Sequence, residues 1–231
     1  MKTKIAAAVA LACLSSVALA QQNKAADVGP YAGISGGRST TSFASQDLSV
    51  NAYATNFQTG VGTFSDSTDT HNTAWRIFLG YKFDQNWAIE GAYTSLGEAK
   101  HTFTGVTGAY VGGTAVTNID QNSWSLAVKG TLPVSKEFDI FALLGGTSNY
   151  SKTNVSATGQ FATDIGASYS ASNTKGYAMF GVGVEYKPTA NIGIRGEYHN
   201  YGKFGDSLVT TSDGTGRTEV DAWLLGVSVK F

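Results

Sequence analysis

The stretch Val220-Asp221-Ala222-Trp223-Leu224-Leu225-Gly226-Val227-Ser228-Val229-Lys230-Phe231 decides the fold of this 231-residue chain. Read at alternate positions, it separates into two sets. Trp223, Leu225, Val227, Val229 and Phe231 are all apolar, with aromatics at both ends. Ala222, Leu224, Gly226, Ser228 and Lys230 are mostly small or polar. A period of two marks a strand whose faces meet two different surroundings. A sandwich would turn the apolar face to a core. A membrane barrel would turn it to lipid, with rings at the two interfaces. The remainder of the chain discriminates between them.

Working outward, the same alternation recurs in segments of about ten residues, the length a tilted strand needs to cross a bilayer. Positions 31–39 are glycine-rich and weakly patterned around Ile34. Over 73–83, Trp75, Ile77, Leu79, Tyr81 and Phe83 oppose Ala74, Arg76, Phe78, Gly80 and Lys82. After the turn Asp84-Gln85-Asn86, Trp87, Ile89 and Tyr93 oppose Ala88, Glu90, Ala92 and Thr94. A fourth strand is predicted over 123–132, with Trp124, Leu126 and Val128 outward and Lys129 inward. The fifth, from Phe138 to about Tyr150, has ambiguous facing, because Ile140, Ala142 and Leu144 compete with Phe141 and Leu143. Strands six and seven, over 176–186 and from Ile192, place Tyr186 and Tyr198 outward and Glu185, Arg195, Glu197 and His199 inward. The opening stretch is the eighth.

The connections alternate in length. Turns after the second, fourth and sixth strands are a few residues long. The predicted loops 40–72, 99–122, 151–175 and 203–219 are long and rich in Ser, Thr, Gly, Asn and Asp. A sandwich supplies no reason for that alternation; an outer-membrane barrel does, with short periplasmic turns and long external loops. The expected fold is therefore all-β, an eight-stranded antiparallel up-and-down transmembrane β-barrel, narrow enough for its inward side chains to fill.

Composition agrees. The chain has 28 glycines, three prolines, 12% aromatic and 14% charged residues. Lys2 and Lys4, the apolar run Ile5–Leu14 and the small-x-small site Ala18-Leu19-Ala20 read as a signal peptide over 1–20. Residues 21–28 then form a short periplasmic segment, and 29–231 the barrel. The single cysteine, Cys13, falls in the signal peptide, which leaves the mature chain without disulfide or thiolate chemistry. With 17 acidic against 16 basic residues, two of them in the signal peptide, the charge balance does not suit nucleic acid. No cofactor and no metal are expected. Asp66-Ser67-Thr68-Asp69 lacks the central glycine and closing glutamate of a calcium loop, and a solvated loop is expected there.

The runs Gly80-Tyr81, Trp87-Ala88-Ile89-Glu90, Leu126-Ala127-Val128-Lys129, Leu144-Gly145-Gly146, Gly183-Val184-Glu185-Tyr186, Ile194-Arg195-Gly196-Glu197-Tyr198 and Leu225-Gly226-Val227-Ser228 resemble the transmembrane domain of the OmpA family. That resemblance implies a Gram-negative outer-membrane barrel, with lipid and lipopolysaccharide as surroundings. It implies that a last strand bearing Val229 and Phe231 is the signal read by the outer-membrane assembly machinery. It also implies that Glu90, Lys129, Glu185 and Arg195 match an interior charged cluster closing the lumen. Arg76, Glu197, Lys82 and Lys230 would extend it. Many members carry a peptidoglycan-binding domain after the barrel; here the chain stops at Phe231, and no such domain is expected.

Three functions follow as expectations: a structural and surface-display barrel, a small-solute pore gated by the cluster, and a lipid A-modifying enzyme. For the enzyme, His199 is the best-placed base, but Tyr201 stands where related deacylases carry a serine, and a structural histidine is the stronger reading. His71 and His101 have no patterned partner. The outward rings are expected in two girdles: Tyr81, Phe83, Trp87, Tyr186 and Phe231 at the turn end, and Trp75, Tyr93, Trp124, Tyr198 and Trp223 at the loop end.

Overall fold

A computed structural model describes residues 28–43, 62–107, 110–159, 162, 168–205 and 218–231. Positions 1–27, with the predicted signal peptide and most of the periplasmic segment, lie outside the described residues. Nine strands are formed: β1 Gly29–Phe43, β2 Gly62–Asp69, β3 His71–Lys82, β4 Trp87–Thr107, β5 Tyr110–Pro133, β6 Phe138–Thr158, β7 Ser168–Tyr186, β8 Ile192–Phe204 and β9 Thr218–Lys230.

All pairings are antiparallel, and they form a ring. β1 pairs with β3 and with β9, β4 with β3 and β5, and each later strand with the next. β2 and β3 together make one stave: β2 pairs with the upper part of β4 and β3 with the lower, interrupted only at Thr70. The nine strands thus form the expected eight-stave up-and-down barrel. Around the ring every stave is paired on both sides over part of its length, the condition for placing backbone in hydrocarbon.

The ring is staggered. From Asn200 the register runs through Phe180, Leu144, Val128, Ile89 and Tyr81 to Pro30. It returns where Phe231 N–H bonds Pro30 and Lys230 N–H bonds the carbonyl of Asn191, at the opposite end of β8. Tilt and shear of this kind are what close a small barrel.

Two of the expected long loops are largely strand. β4 and β5 continue through nearly all of 99–122, and β6 and β7 take up much of 151–175. Asp66-Ser67-Thr68-Asp69 lies in β2, paired with Lys100–Phe103, and not in a loop. These extensions are polar on both faces, so they lack the apolar alternation that marks the membrane segment. Cross-strand pairing and β-branched residues hold them extended instead. A β-bulge adds to the concealment. Gly97, at φ +83°, shifts the register of β4 by one, so that Ala99 and His101 turn inward where strict alternation would put Glu98 and Lys100. Gly202 marks a similar irregularity in β8. β5, at 24 residues, has a contour of about 80 Å, far beyond the ~30 Å hydrocarbon core.

The ambiguous facing of the fifth predicted strand is settled in β6. Asp139, Phe141 and Leu143 are buried in the lumen, while Ile140 and Leu144 are exposed on the outer wall. Outside, the surface is apolar; inside it is layered. Tyr31, Phe78, Ala88 and Ala92 pack together, as do Ala127, Phe141 and Leu143. On the loop side lies a second apolar group of Ala74, Leu96, Tyr201, Phe204, Val220, Ala222 and Leu224.

Candidate functional site

The site is the charge layer in the lumen. β3 supplies Arg76, β4 Glu90, and β8 both Arg195 and Glu197. Each sits at an inward position of its strand, and their side chains are 0–1% exposed. They form a four-membered ring of alternating sign. Arg76 Nη2 lies 2.6 Å from Glu90 Oε1, and Glu90 Oε2 lies 3.1 Å from Arg195 Nη1. Arg195 Nε is 3.2 Å from Glu197 Oε1, and Glu197 Oε2 is 3.4 Å from Arg76 Nη1. Two cations and two anions compensate one another. An isolated charge at this depth would carry a desolvation cost of several kcal/mol.

Neighbouring groups add further contacts. The Tyr31 hydroxyl donates to Glu90 at 2.8 Å, and Ser35 donates to Glu197 at 3.3 Å. His199 Nε2 lies 2.6 Å from Glu197 Oε2, and its ring stacks on Tyr201 at 5.6 Å. The guanidinium of Arg195 lies 4.4 Å from the Phe78 ring centroid and 4.6 Å from that of Phe141, and Arg76 lies 5.0 Å from Phe78. Aromatic faces thus meet cations that carboxylates do not fully surround.

The structure brings together all six expected charged residues, but in two tiers and not at one depth. Lys129 and Glu185 pair at 3.0 Å apart from the ring, and Ser228 donates to Glu185 at 2.7 Å. Register sets Glu185 directly opposite Arg195, yet Arg195 reaches across the lumen to Glu90. Barrel stagger causes the separation. Lys82 and Lys230 belong to the turn-end mouth, where they line a small space of about 40 Å³ with Lys129, Glu185, Asp139 and Lys187.

Several participants were not found by sequence reasoning. The Asp139–Lys187 pair, 2.9 Å at the turn end, joins residues 48 apart. Its only signal was a buried carboxylate on a strand whose facing was unresolved. Tyr31 was hidden in a weakly patterned segment. Phe141 depended on the same unresolved facing.

His199 is fully buried with its ring held between Glu197 and Tyr201. His71 is exposed on the outer wall, hydrogen-bonded to Thr70, and His101 is buried on the inward side of β4. No group of three or more metal-ligating side chains occurs among the described residues.

The expected rings lie on the outer wall. At the loop end, Trp75, Tyr93 and Trp124 form a contiguous belt, with centroids 5.5 and 4.9 Å apart. Tyr198 and Trp223 continue it at 4.9 Å. At the turn end, Tyr81 and Phe83 are 5.6 Å apart and Phe138 and Tyr186 4.9 Å, with Trp87 and Phe231 also exposed.

A closed antiparallel barrel, apolar outside and charged within, defines an outer-membrane β-barrel. The chain belongs to the family described as outer membrane protein beta-barrel domain, whose model matches residues 9–231. Outer membrane protein A of Serratia marcescens is 29% identical over 232 residues, covering the whole of this chain and 56% of that protein. The chain thus spans little more than half the length of that relative. Among solved structures, Neisserial surface protein A superposes with a TM-score of 0.51 at 14% identity, over 88% of this chain and 97% of that one. OprG from Pseudomonas aeruginosa superposes with a TM-score of 0.47 at 13% identity, over 89% and 98%. At such identity the structural likeness speaks to fold alone. Family and relative together place the protein in the Gram-negative outer membrane, in a surface or structural role.

Proposed function

We propose that this protein is a closed, non-enzymatic barrel that reinforces the outer membrane and displays its extended strands outside the cell. The observation carrying this reading is the ring Arg76–Glu90–Arg195–Glu197, buried and charge-balanced across the lumen. It works as a brace. Glu90–Arg195 and Arg76–Glu197 tie β4 and β3 to β8 across the lumen, while Arg76–Glu90 joins the neighbouring staves β3 and β4. The apolar layer on its loop side opposes passage of hydrated ions.

The absence of an enzymatic role is supported by the setting of His199. Its Nε2 is taken up by Glu197, its ring is stacked on Tyr201, and it is shielded from the outer leaflet. A general base must reach a nucleophile and its substrate.

The test is conductance in planar bilayers. The refolded barrel is expected to insert without stable ion-conducting steps, and Glu90→Ala is expected to introduce them. Steady conductance by the unmodified barrel would instead establish the pore reading, with the ring as its gate. Lipid A of unchanged mass after overexpression is the matching expectation for the enzyme reading.

A further inference from the structure

The outer wall carries a feature that neither the ring nor the girdles account for. One line of residues in register across β6, β7, β8, β9, β1 and β3 reads Ile140, Val184, Gly196, Leu225, Gly36 and Trp75. The two glycines leave notches on either side of Leu225. They form the floor of an open groove of about 950 Å³ on the lipid side, walled by Val182, Val184, Tyr198, Trp223 and Leu225.

Internal packing does not require those glycines. A Cβ on Gly36 would come no nearer than 4.0 Å to any atom, and one on Gly196 no nearer than 3.8 Å. Lumen glycines differ: a Cβ on the adjacent Gly37 would fall 1.9 Å from the Trp223 carbonyl oxygen, and one on Gly183 2.4 Å from the Phe141 ring. A strand-interior glycine costs β-stability, and without an internal reason it marks close approach of something external.

The groove has a charged rim at its loop end. Arg38, two residues beyond Gly36, is exposed and set in register with Trp223; among the described residues it makes no ion pair or hydrogen bond. His71, exposed opposite Thr40, stands beside it. The nearby carboxylate of Asp221 is already held by the Tyr198 hydroxyl and the Asn200 amide, each at 2.8 Å. A guanidinium exposed between two interfacial tryptophans, above an apolar channel, complements an anionic headgroup with acyl chains beneath it.

We propose that this groove binds one phosphorylated, acylated glycolipid of the outer leaflet, with its phosphate on Arg38 and an acyl chain along the Gly36–Gly196 floor. The proposal rests on the outer-membrane placement and is independent of whether the lumen conducts.

The test is native mass spectrometry of the full barrel, refolded in detergent, with bis-phosphorylated lipid A, the same lipid dephosphorylated, and phosphatidylethanolamine. Bis-phosphorylated lipid A is expected to be retained at one copy, at least tenfold more than either other lipid. Arg38→Ala, an exposed change that leaves the wall intact, and Gly36→Val, which fills a notch, are each expected to reduce retention several-fold. Gly176→Val, at an outward glycine outside the groove, is expected to leave it unchanged. Equal retention of the dephosphorylated lipid or of phosphatidylethanolamine would overturn the proposal. So would retention untouched by Arg38→Ala, equal loss in Gly176→Val, or a protein dimer that Gly36→Val abolishes, which would make the groove a contact between copies.

Discussion

At the scale of single residues, the balance inside the barrel turns on Glu90. It accepts from Arg76, Arg195 and Tyr31 at once. Removing it leaves two buried guanidinium groups sharing the single carboxylate of Glu197. Breaking a buried pair typically costs about 3–5 kcal/mol, and Glu90→Ala is expected to lower the unfolding midpoint in detergent accordingly. The double change Arg76→Ala with Glu90→Ala removes one charge of each sign. It is expected to cost less than the two single changes added, by roughly 0.5–3 kcal/mol. Additive losses would show that the ring does not act as a unit. Because the pairs are buried, moderate salt should leave the wild-type midpoint nearly unchanged.

At the scale of strands, alternation assigns neighbouring glycines opposite duties. Gly145 and Gly146 sit side by side in β6. A Cβ on Gly145 would lie 2.1 Å from the Leu126 carbonyl oxygen, whereas one on Gly146 would lie 3.8 Å from the Tyr177 carbonyl oxygen. Gly145→Ala is therefore expected to impair barrel assembly, measured as the folded fraction on an unheated gel, and Gly146→Ala to be neutral. The bulge at Gly97 makes a related point. Its positive φ and a Cβ approach of 2.7 Å to Asn72 leave no room for a side chain. Period two is legible from Trp87 to Thr94, but the one-residue shift at Gly97 breaks it, which hides the loop-end half of β4 from the sequence.

At the scale of the whole molecule, β4–β7 form a wall 19–24 residues long, while β8 and β9 have 13 each. Among the described residues, one side of the barrel thus rises well beyond the other. With the short turns in the periplasm, cysteines placed at Thr104 or Asn154 should react with a membrane-impermeant maleimide on intact cells. One at Ser135, in a short turn, should react only after lysis. The reverse pattern would invert the orientation. Mature protein without native cysteine makes the assay clean, since Cys13 lies in the predicted signal peptide.

Local chemistry by itself determined the membrane strands, the facing of all but the fifth, and the inward position of Arg76, Glu90, Lys129, Glu185, Arg195 and Glu197. Period two, turn residues and aromatic ends are properties of short segments, and they survive in any register. Only the tertiary structure decided which charges meet. Shear is the sum of small offsets around eight staves, and no single segment carries it. It separates Lys129 and Glu185 from the ring and turns Arg195 toward Glu90. It also aligns Gly196 with Gly36 across Leu225, which is how two unremarkable glycines 160 residues apart become the floor of one groove.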